Sequence, residues 1–451
     1  MTSKPSKSQY SVIILAAGKG TRMKNNVPKL MHKIAGEHLV YYPIQLAKAL
    51  KAIEVAAVIN EENLQLNQYI ESFGIKTYTQ KEQLGTAHAV RCAADPMDLN
   101  TDYTIILYGD TPLITEATIK SGIESLRSHS NASCMVFCFM MEESNQYGKL
   151  LVADEYVVDI VEYFEDKDSQ IPHCNSGIII VESKYLKEAL GKISNNNNKN
   201  EYYLTDVVKV LESMKRKSLY YVGTKEEFLG VNSQEERDIA DKVLQKRIVN
   251  QLFTKGVTIY NPETSYFDYN IYIESGVEIE PNVQIKKGAR IENGALIRSF
   301  SYLEDCKIGK NAIVGPYARV RPKTVLHENV HLGSFVEAKN AEINENSKAN
   351  HLAYLGDIKI GRNVNIGAGT IVCNYDGFNK YNSEIGDNVF VGSNSCIISP
   401  INIGEGSIIG AGSVVAKTVE SDSLVIARAE EKHLKNKAKS FRQIKKAKSA
   451  K

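Results

Sequence analysis

The chain has 451 residues, 43% of them hydrophobic and 24% charged, with seven cysteines and a formal net charge of +2. This length exceeds one ordinary core and predicts two or three domains, and the near-balanced charge gives no reason to expect nucleic acid. The balance is uneven along the chain, for nine Lys and Arg and no acid follow Glu431, leaving −7 on the rest.

The first nine residues are polar and no apolar stretch follows them as a signal would require. The longest hydrophobic run, Cys134 to Met141, is far too short to span a bilayer. A soluble cytoplasmic protein with no membrane partner is expected. The odd, scattered cysteines suit free thiols in a reducing compartment. Cys134 and Cys138 lack the neighbouring ligands that zinc needs and read as part of a buried strand.

Residues 11 to 230 alternate short β-rich runs with amphipathic stretches. Val12 to Leu15, Val55 to Ile59, Ile105 to Leu107, Met135 to Phe139 and Ile178 to Val181 read as buried strands of an α/β sheet. The Asn-rich piece from Ser194 to Asn200 reads as an exposed loop. At Ser233 the texture changes: Ser233 and Glu236 form a capping-box pattern, and Val243, Leu244, Ile248 and Leu252 follow at helical spacing. A long connecting helix is predicted there.

Beyond the helix an aliphatic residue recurs every six positions: Ile273, Ile279, Ile285, Ile291, Ile297 and Leu303, then Ile308, Val314, Val320, Leu326 and Leu332, with one slip before Ile308. The beat returns at Ile360, Ile366 and Val372, and again from Ile385 to Val415. Meandering antiparallel strands would not hold one phase for so long. Three short strands and three tight turns per coil, stacked as a parallel β-helix, would. Breaks around His351 and from Cys373 to Glu384 are expected to project as loops, where chemistry is sought.

The first strand runs into Leu15-Ala16-Ala17-Gly18-Lys19-Gly20-Thr21-Arg22, with Pro28-Lys29 beyond. Small residues let backbone N–H groups approach a phosphate or a base edge, and Lys19, Arg22 and Lys29 supply positive charge. The Gly-Lys-Ser/Thr ending of a P-loop is absent. Asp110 follows a buried strand at the carboxyl edge, where open α/β sheets bind ligands.

This run, with Gln80, Gln83 to Ala87, Tyr108 to Leu113, Tyr147-Gly148, Glu162, Asn175 to Gly177, Glu201 to Asp206 and Gly230 to Asn232, resembles the sugar-1-phosphate nucleotidyltransferases. The C-terminal half adds Arg319 to Pro322, Phe335 to Lys339, His351 to Asp357, Asn363 to Gly369 and Cys373 to Gly377. Together the motifs resemble the bifunctional glucosamine-1-phosphate acetyltransferase and N-acetylglucosamine-1-phosphate uridylyltransferase family, from about Val12 to Arg428. Two positions depart from that pattern: Phe164 stands where Lys is usual, and Lys149 where Arg is usual.

The resemblance implies a Rossmann-like α/β nucleotidyltransferase domain over 1–231, a connecting α-helix over 232–256 and a left-handed parallel β-helix over 257–430. A disordered basic tail over 431–451 completes the expected chain. The implied function is UDP-N-acetylglucosamine synthesis, feeding peptidoglycan and lipopolysaccharide. Leu15, Ala16, Ala17, Gly18, Lys29, Gln80, Gly85, Thr86, Tyr108 and Gly109 would bind UTP. Gly148, Glu162 and Asn175 would hold the acetylated sugar, and Asp110 and Asn232 would hold Mg²⁺. Lys29 and Arg22 would neutralise charge on the phosphates.

Acetyl transfer needs an unprotonated amine, and an imidazole suits the proton's removal. His351 is the candidate base. By resemblance Arg321, Lys339 and Tyr354 hold the sugar phosphate, while Asn365, Asn374 and Tyr375 shape the sugar site, with Asn374 and Tyr375 also reaching acetyl-CoA. Lys380 belongs to the adjacent loop. Ala368, Ser393, Ala411 and Arg428 would line the acetyl-CoA groove. Family members are trimers, so a homotrimer is expected. Two rival readings are a β-helix serving only for oligomerisation or regulation, and a scaffold with no activity.

Overall fold

The computed structural model describes residues 9–18, 20, 23, 27–141, 146–163 and 171–449. The chain divides into two compact units, Met1–Ile248 and Val249–Lys451.

In the first unit, β1 (Tyr10–Leu15), β2 (Glu54–Ile59), β3 (Lys76–Thr79), β4 (Tyr103–Tyr108), β5 (Ala132–Met140), β6 (Lys149–Ala153), β7 (Tyr156–Val161), β8 (His173–Glu182) and β9 (Lys217–Gly223) form one sheet. Its order is β9-β5-β8-β4-β1-β2-β3, with the β6–β7 hairpin joined to β8. The neighbours of β1 run parallel to it, and β8 runs antiparallel to β4 and β5. All five runs read as strands lie within these strands.

Both faces of the sheet are covered, which is why its central strands read as continuous apolar runs. Val12, Ile14, Ile105 and Leu107 pack on one side, under helices α1 (Tyr41–Ala49), α2 (Leu64–Glu71) and α4 (Glu116–Ser128). Ile13 and Ile106 pack on the other, with α3 (Thr86–Ala94), α5 (Ser183–Lys192) and α6 (Val207–Ser213). Full burial of side chains such as Ile13 and Ile106 stabilises by roughly 1.5–3 kcal/mol each. Cys134 and Cys138 are buried in β5, and burial pushes both thiols up to about 12.

The connecting helix α7 spans Gln234–Thr254. Ser233 Oγ accepts the Glu236 N–H at 3.1 Å, as the capping pattern predicts. The Glu236 carboxylate reaches one residue further back than in a standard box, accepting the Asn232 N–H at 2.7 Å. The cap therefore also fixes Asn232.

In the second unit the six-residue beat is a stacked parallel β-helix. One face is a ten-stranded sheet from Thr258–Ile259 to Leu424–Val425. On it Ile279, Ile297, Val314, Leu332, Ala349, Ile366, Val391 and Ile409 stack coil on coil, all buried. Two strands, Glu337–Ile343 and Tyr354–Ile360, bend across a corner and join the other two faces into one fifteen-stranded sheet. The slip before Ile308 is a coil shortened by one residue, since Ile291 pairs with Ile308 whereas Ile308 pairs with Leu326.

Two expectations are corrected. The stretch around His351 is not a loop: His351 ends the strand Lys348–His351, and the coil continues through it. The pattern was masked because Ala338 and Ala349 occupy inward places usually held by larger aliphatics. The second break does project, with an isolated bridge between Tyr375 and Lys380 and Phe378 exposed at its tip. In the tail, where disorder was expected, helix α8 spans Lys437–Ser449 with no buried residue. Its Lys, Ala, Arg and Gln are strong helix formers, and that propensity outweighs the like charges. Among the described residues no helix is long and apolar enough to cross a membrane.

Candidate active sites

The first site opens where β1 and β4 end side by side. Gly109 donates its N–H to Leu15 O at 2.9 Å, so the turn after β4 lies against the small-residue run after β1. Leu15, Ala16, Ala17, Gly18, Lys29, Gln80, Gly85, Thr86, Tyr108 and Asp110 line one cavity of about 330 Å³. Gly109 itself does not line the cavity. Gln83 and Glu201, to which no role was assigned, line it too, and Gln83 Nε2 donates to Ala17 O at 2.8 Å.

Gly85 is fixed by a close approach. Its φ is 107°, and a Cβ there would lie 2.5 Å from Tyr202 O. Tyr202 in turn donates to Leu84 O at 2.7 Å and accepts from Ala87 N, and Leu204 N donates to Thr86 Oγ1 at 2.9 Å. The Glu201 to Asp206 motif is thus the clamp on the start of α3. Gln80, 5% exposed, donates to Gly85 O at 3.0 Å.

Lys29 lies at the mouth, in a single 3₁₀ turn entered through Pro28. Its ammonium donates both to the Asp110 carboxylate and, at 2.8 Å, to Asn232 Oδ1. Asp110 and Asn232 are held together by the Val231 N–H, which donates to Asp110 O at 2.8 Å. Two oxygen donors, one of them anionic, therefore converge on one cationic point. Among the described residues no three His, Cys, Asp or Glu side chains are grouped so that they could hold a metal ion. Two protein oxygens with the rest supplied by phosphate and water is what Mg²⁺ prefers, so this donor set fits that ion. Arg22 and Lys19 lie outside the described residues.

A second cavity of about 320 Å³ shares Thr86, Tyr108 and Glu201 with the first. Gly148, Glu162 and Asn175 line it, joined by Tyr203 and Thr205, which sequence reasoning quoted without a role. Thr205 Oγ1 donates to Glu162 Oε1 at 3.0 Å, and Asn175 N donates to Gly148 O at 2.8 Å. Lys199 places the end of the Asn-rich loop on its rim. Tyr108 stands between the cavities, its hydroxyl pushed well above the usual phenol range by burial and by Glu162 and Asp110. Lys149 is buried, with Nζ 3.2 Å from Cys174 Sγ, and does not line this cavity.

In the second unit the expected residues fall into columns, one per coil. Ser334 pairs with His351, and Gly369 N donates to His351 O at 3.4 Å. Asn394 N donates to Ala368 O and Gly412 N to Ser393 O. His351, Ala368, Ser393 and Ala411 thus follow one another down an edge, and the Arg428 guanidinium donates to Ala411 O at its end. Around the corner, Arg321 and Lys339 are neighbours, with Tyr354 beside Glu337. Glu337, missed as a site residue, accepts from Arg321 Nη1 at 2.8 Å. The Lys380 ammonium beside Lys339, with partial burial and Arg321, holds the Lys339 amine below the usual lysine range. Three cations converging in this way form an anion site.

Asn365 is not brought to that cluster. It faces outward on the ten-stranded face, between Lys348 and Phe390, while Arg321, Lys339 and Tyr354 lie on the next face. Asn374 is buried beside Asp357, and Tyr375 is exposed in the projecting loop, its hydroxyl donating to Gly377 O at 2.6 Å.

The joined cavities on the α/β sheet and the cation cluster on the β-helix give the chain two separate candidate sites. Comparisons agree: the MobA-like NTP transferase domain matches residues 12–168, the bacterial transferase hexapeptide matches 305–338, and the hexapeptide repeat of succinyl-transferase matches 384–417. The chain is 42% identical over 434 residues to the bifunctional protein GlmU of Bartonella quintana, covering 95% of this chain and 96% of that one. It is 36% identical to that of Paramagnetospirillum magneticum, over 98% and 99% of the two chains, and 38% identical to that of Streptococcus agalactiae serotype V, over 93% and 95%. The chain belongs to the GlmU family of bifunctional transferases, enzymes of UDP-N-acetylglucosamine biosynthesis.

Proposed function

We propose that the first unit transfers UMP from UTP to N-acetylglucosamine-1-phosphate with Mg²⁺, and that the second acetylates glucosamine-1-phosphate from acetyl-CoA as part of a homotrimer. The observation that carries the first half is the convergence of Asp110 and Asn232 on the Lys29 ammonium at the mouth of two joined cavities. One cavity takes the nucleotide and the other the sugar. The sugar 1-phosphate oxygen attacks the α-phosphorus in line, the bond to the β-phosphate oxygen breaks, and pyrophosphate leaves. Lys29, with Arg22, balances charge on the phosphates, and Asp110 and Asn232 hold Mg²⁺, which when bound shields the phosphate oxygens. Pyrophosphate release dependent on both substrates tests this half, and its absence would refute it.

The cap makes a further demand on that site. Glu236 restrains the Asn232 backbone, so Glu236→Ala is expected to raise the Mg²⁺ concentration for half-maximal uridylyl transfer about fivefold, the equivalent of ~1 kcal/mol of lost capping. An unchanged metal titration would show that Asn232 needs no such restraint.

In the second unit, the amine nitrogen attacks the thioester carbonyl, His351 takes the amine proton, the C–S bond breaks to release a thiolate, and the imidazolium returns the proton so that coenzyme A leaves as the thiol. Arg321, Lys339 and Lys380 grip the phosphate, and the edge from Ala368 to Arg428 receives acetyl-CoA. Two observations support assembly. Asn365 lies on a different face from the cations of its own chain, so the sugar-site role that the resemblance implies would set it against the cations of a second copy. Beside the His351 edge, Phe300, Tyr317 and Phe335 stack with centroids 4.8 and 5.0 Å apart and stand about half exposed, followed by Leu352. Such an exposed apolar ladder suits contact with a second copy. Phe335→Asp is expected to convert the trimer to monomer in light scattering and to abolish acetyl transfer alone; a stable trimer would contradict this.

A further inference from the structure

The strand Tyr354–Ile360 carries a buried acid with no assigned role. Asp357 is 7% exposed, and both its carboxylate oxygens are engaged: Oδ1 accepts from Asn340 Nδ2 at 2.7 Å, and Oδ2 accepts from Asn374 Nδ2. Asn374 is itself 6% exposed. The preceding residue, Gly356, pairs with Lys339. A Cβ on Gly356 would lie 2.5 Å from the Tyr354 hydroxyl oxygen and 2.8 Å from Asn374 Nδ2. The bare glycine therefore lets the phenol and the amide converge over it, next to the cations that grip the sugar phosphate.

An ionised carboxylate only accepts hydrogen bonds. Asn374 must therefore turn its NH₂ group toward Asp357, and its carbonyl Oδ1 is the end left for a ligand. We propose that Asp357 is a positioning residue that locks the Asn374 amide, so that Asn374 Oδ1 accepts a hydrogen bond from an N–H of a substrate in the acetyl-transfer site. That N–H belongs either to the amino group of the sugar or to an amide of the thioester's arm. An amine whose N–H is held in this way has its lone pair aimed by the protein rather than by chance. The inference rests on the acetyl-transfer reading of this site.

The test is thiol release from acetyl-CoA with glucosamine-1-phosphate, measured on the full-length protein. Asp357→Asn retains shape but offers one acceptor where two amides need one each, so kcat is expected to fall about 10- to 100-fold. The KM for the sugar phosphate, set by Arg321 and Lys339, should change less than about threefold. Asn374→Ala combined with Asp357→Asn should be no slower than Asn374→Ala alone, because Asp357 acts through Asn374. Asn340→Ala should leave the rate near wild type. Should Asp357→Asn fail to assemble, Asp357→Glu, which keeps the charge but displaces it, takes its place with the same expectation. An acetyl thioester with no amide in its arm separates the two N–H sources: a defect that persists assigns the sugar amine, and one that vanishes assigns the arm. Full activity of Asp357→Asn, or multiplicative losses in the double variant, would overturn the proposal. Absence of thiol release from the wild-type protein would instead overturn the acetyl-transfer reading itself.

Discussion

His351→Ala is expected to lower acetyl transfer about 10²- to 10⁴-fold, the range of a lost general base, while uridylyl transfer continues at the wild-type rate. The imidazole ends a strand on the exposed edge of the β-helix, with Ala368, Ser393 and Ala411 below it on successive coils. Small side chains down that edge leave room for a long thioester arm. Being exposed, His351 contributes little to packing, so its removal should spare the fold and leave the melting temperature within a few degrees. Thiol release and pyrophosphate release, measured on the same preparation, give both answers. Loss of both activities in a folded protein would contradict independent sites.

Lys29→Met is expected to show opposite signs in two measurements. Uridylyl transfer should fall about 10²- to 10³-fold, the cost of removing one group that stabilises developing charge. Affinity of the nucleotide-free protein for Mn²⁺, followed by electron paramagnetic resonance as a probe for the metal position, should rise. The reason is that the Lys29 ammonium lies between Asp110 and Asn232 and competes for the same oxygens as a divalent cation. Nucleotide phosphates would draw the ammonium away from them. Weaker Mn²⁺ binding by Lys29→Met would mean that the lysine builds the cation position rather than filling it.

Repetition and burial made most of the fold legible. The inward aliphatics of the β-helix announced themselves because each coil repeats one packing problem, and Ile279, Ile297 and Val314 solve it alike. The same logic failed at His351, where Ala349 took an inward place without an aliphatic signal. The tail misled because charge composition was weighed above helix propensity. In the sites, residues on tight turns after strands were readable from motifs. Glu337, Asp357 and Thr205 were not singled out for a role, because each acts by contact with a side chain distant in the sequence. No sequence spacing encodes such contacts.

The same chain supports two separable chemistries, the second of them completed by assembly with further copies. The most direct measurement is mass spectrometry of products after incubating the protein with glucosamine-1-phosphate, acetyl-CoA, UTP and Mg²⁺. The account predicts UDP-N-acetylglucosamine, pyrophosphate and free coenzyme A thiol from the wild type, and recovery of the nucleotide sugar by His351→Ala once N-acetylglucosamine-1-phosphate is supplied. Unacetylated sugar nucleotide with intact acetyl-CoA would contradict it.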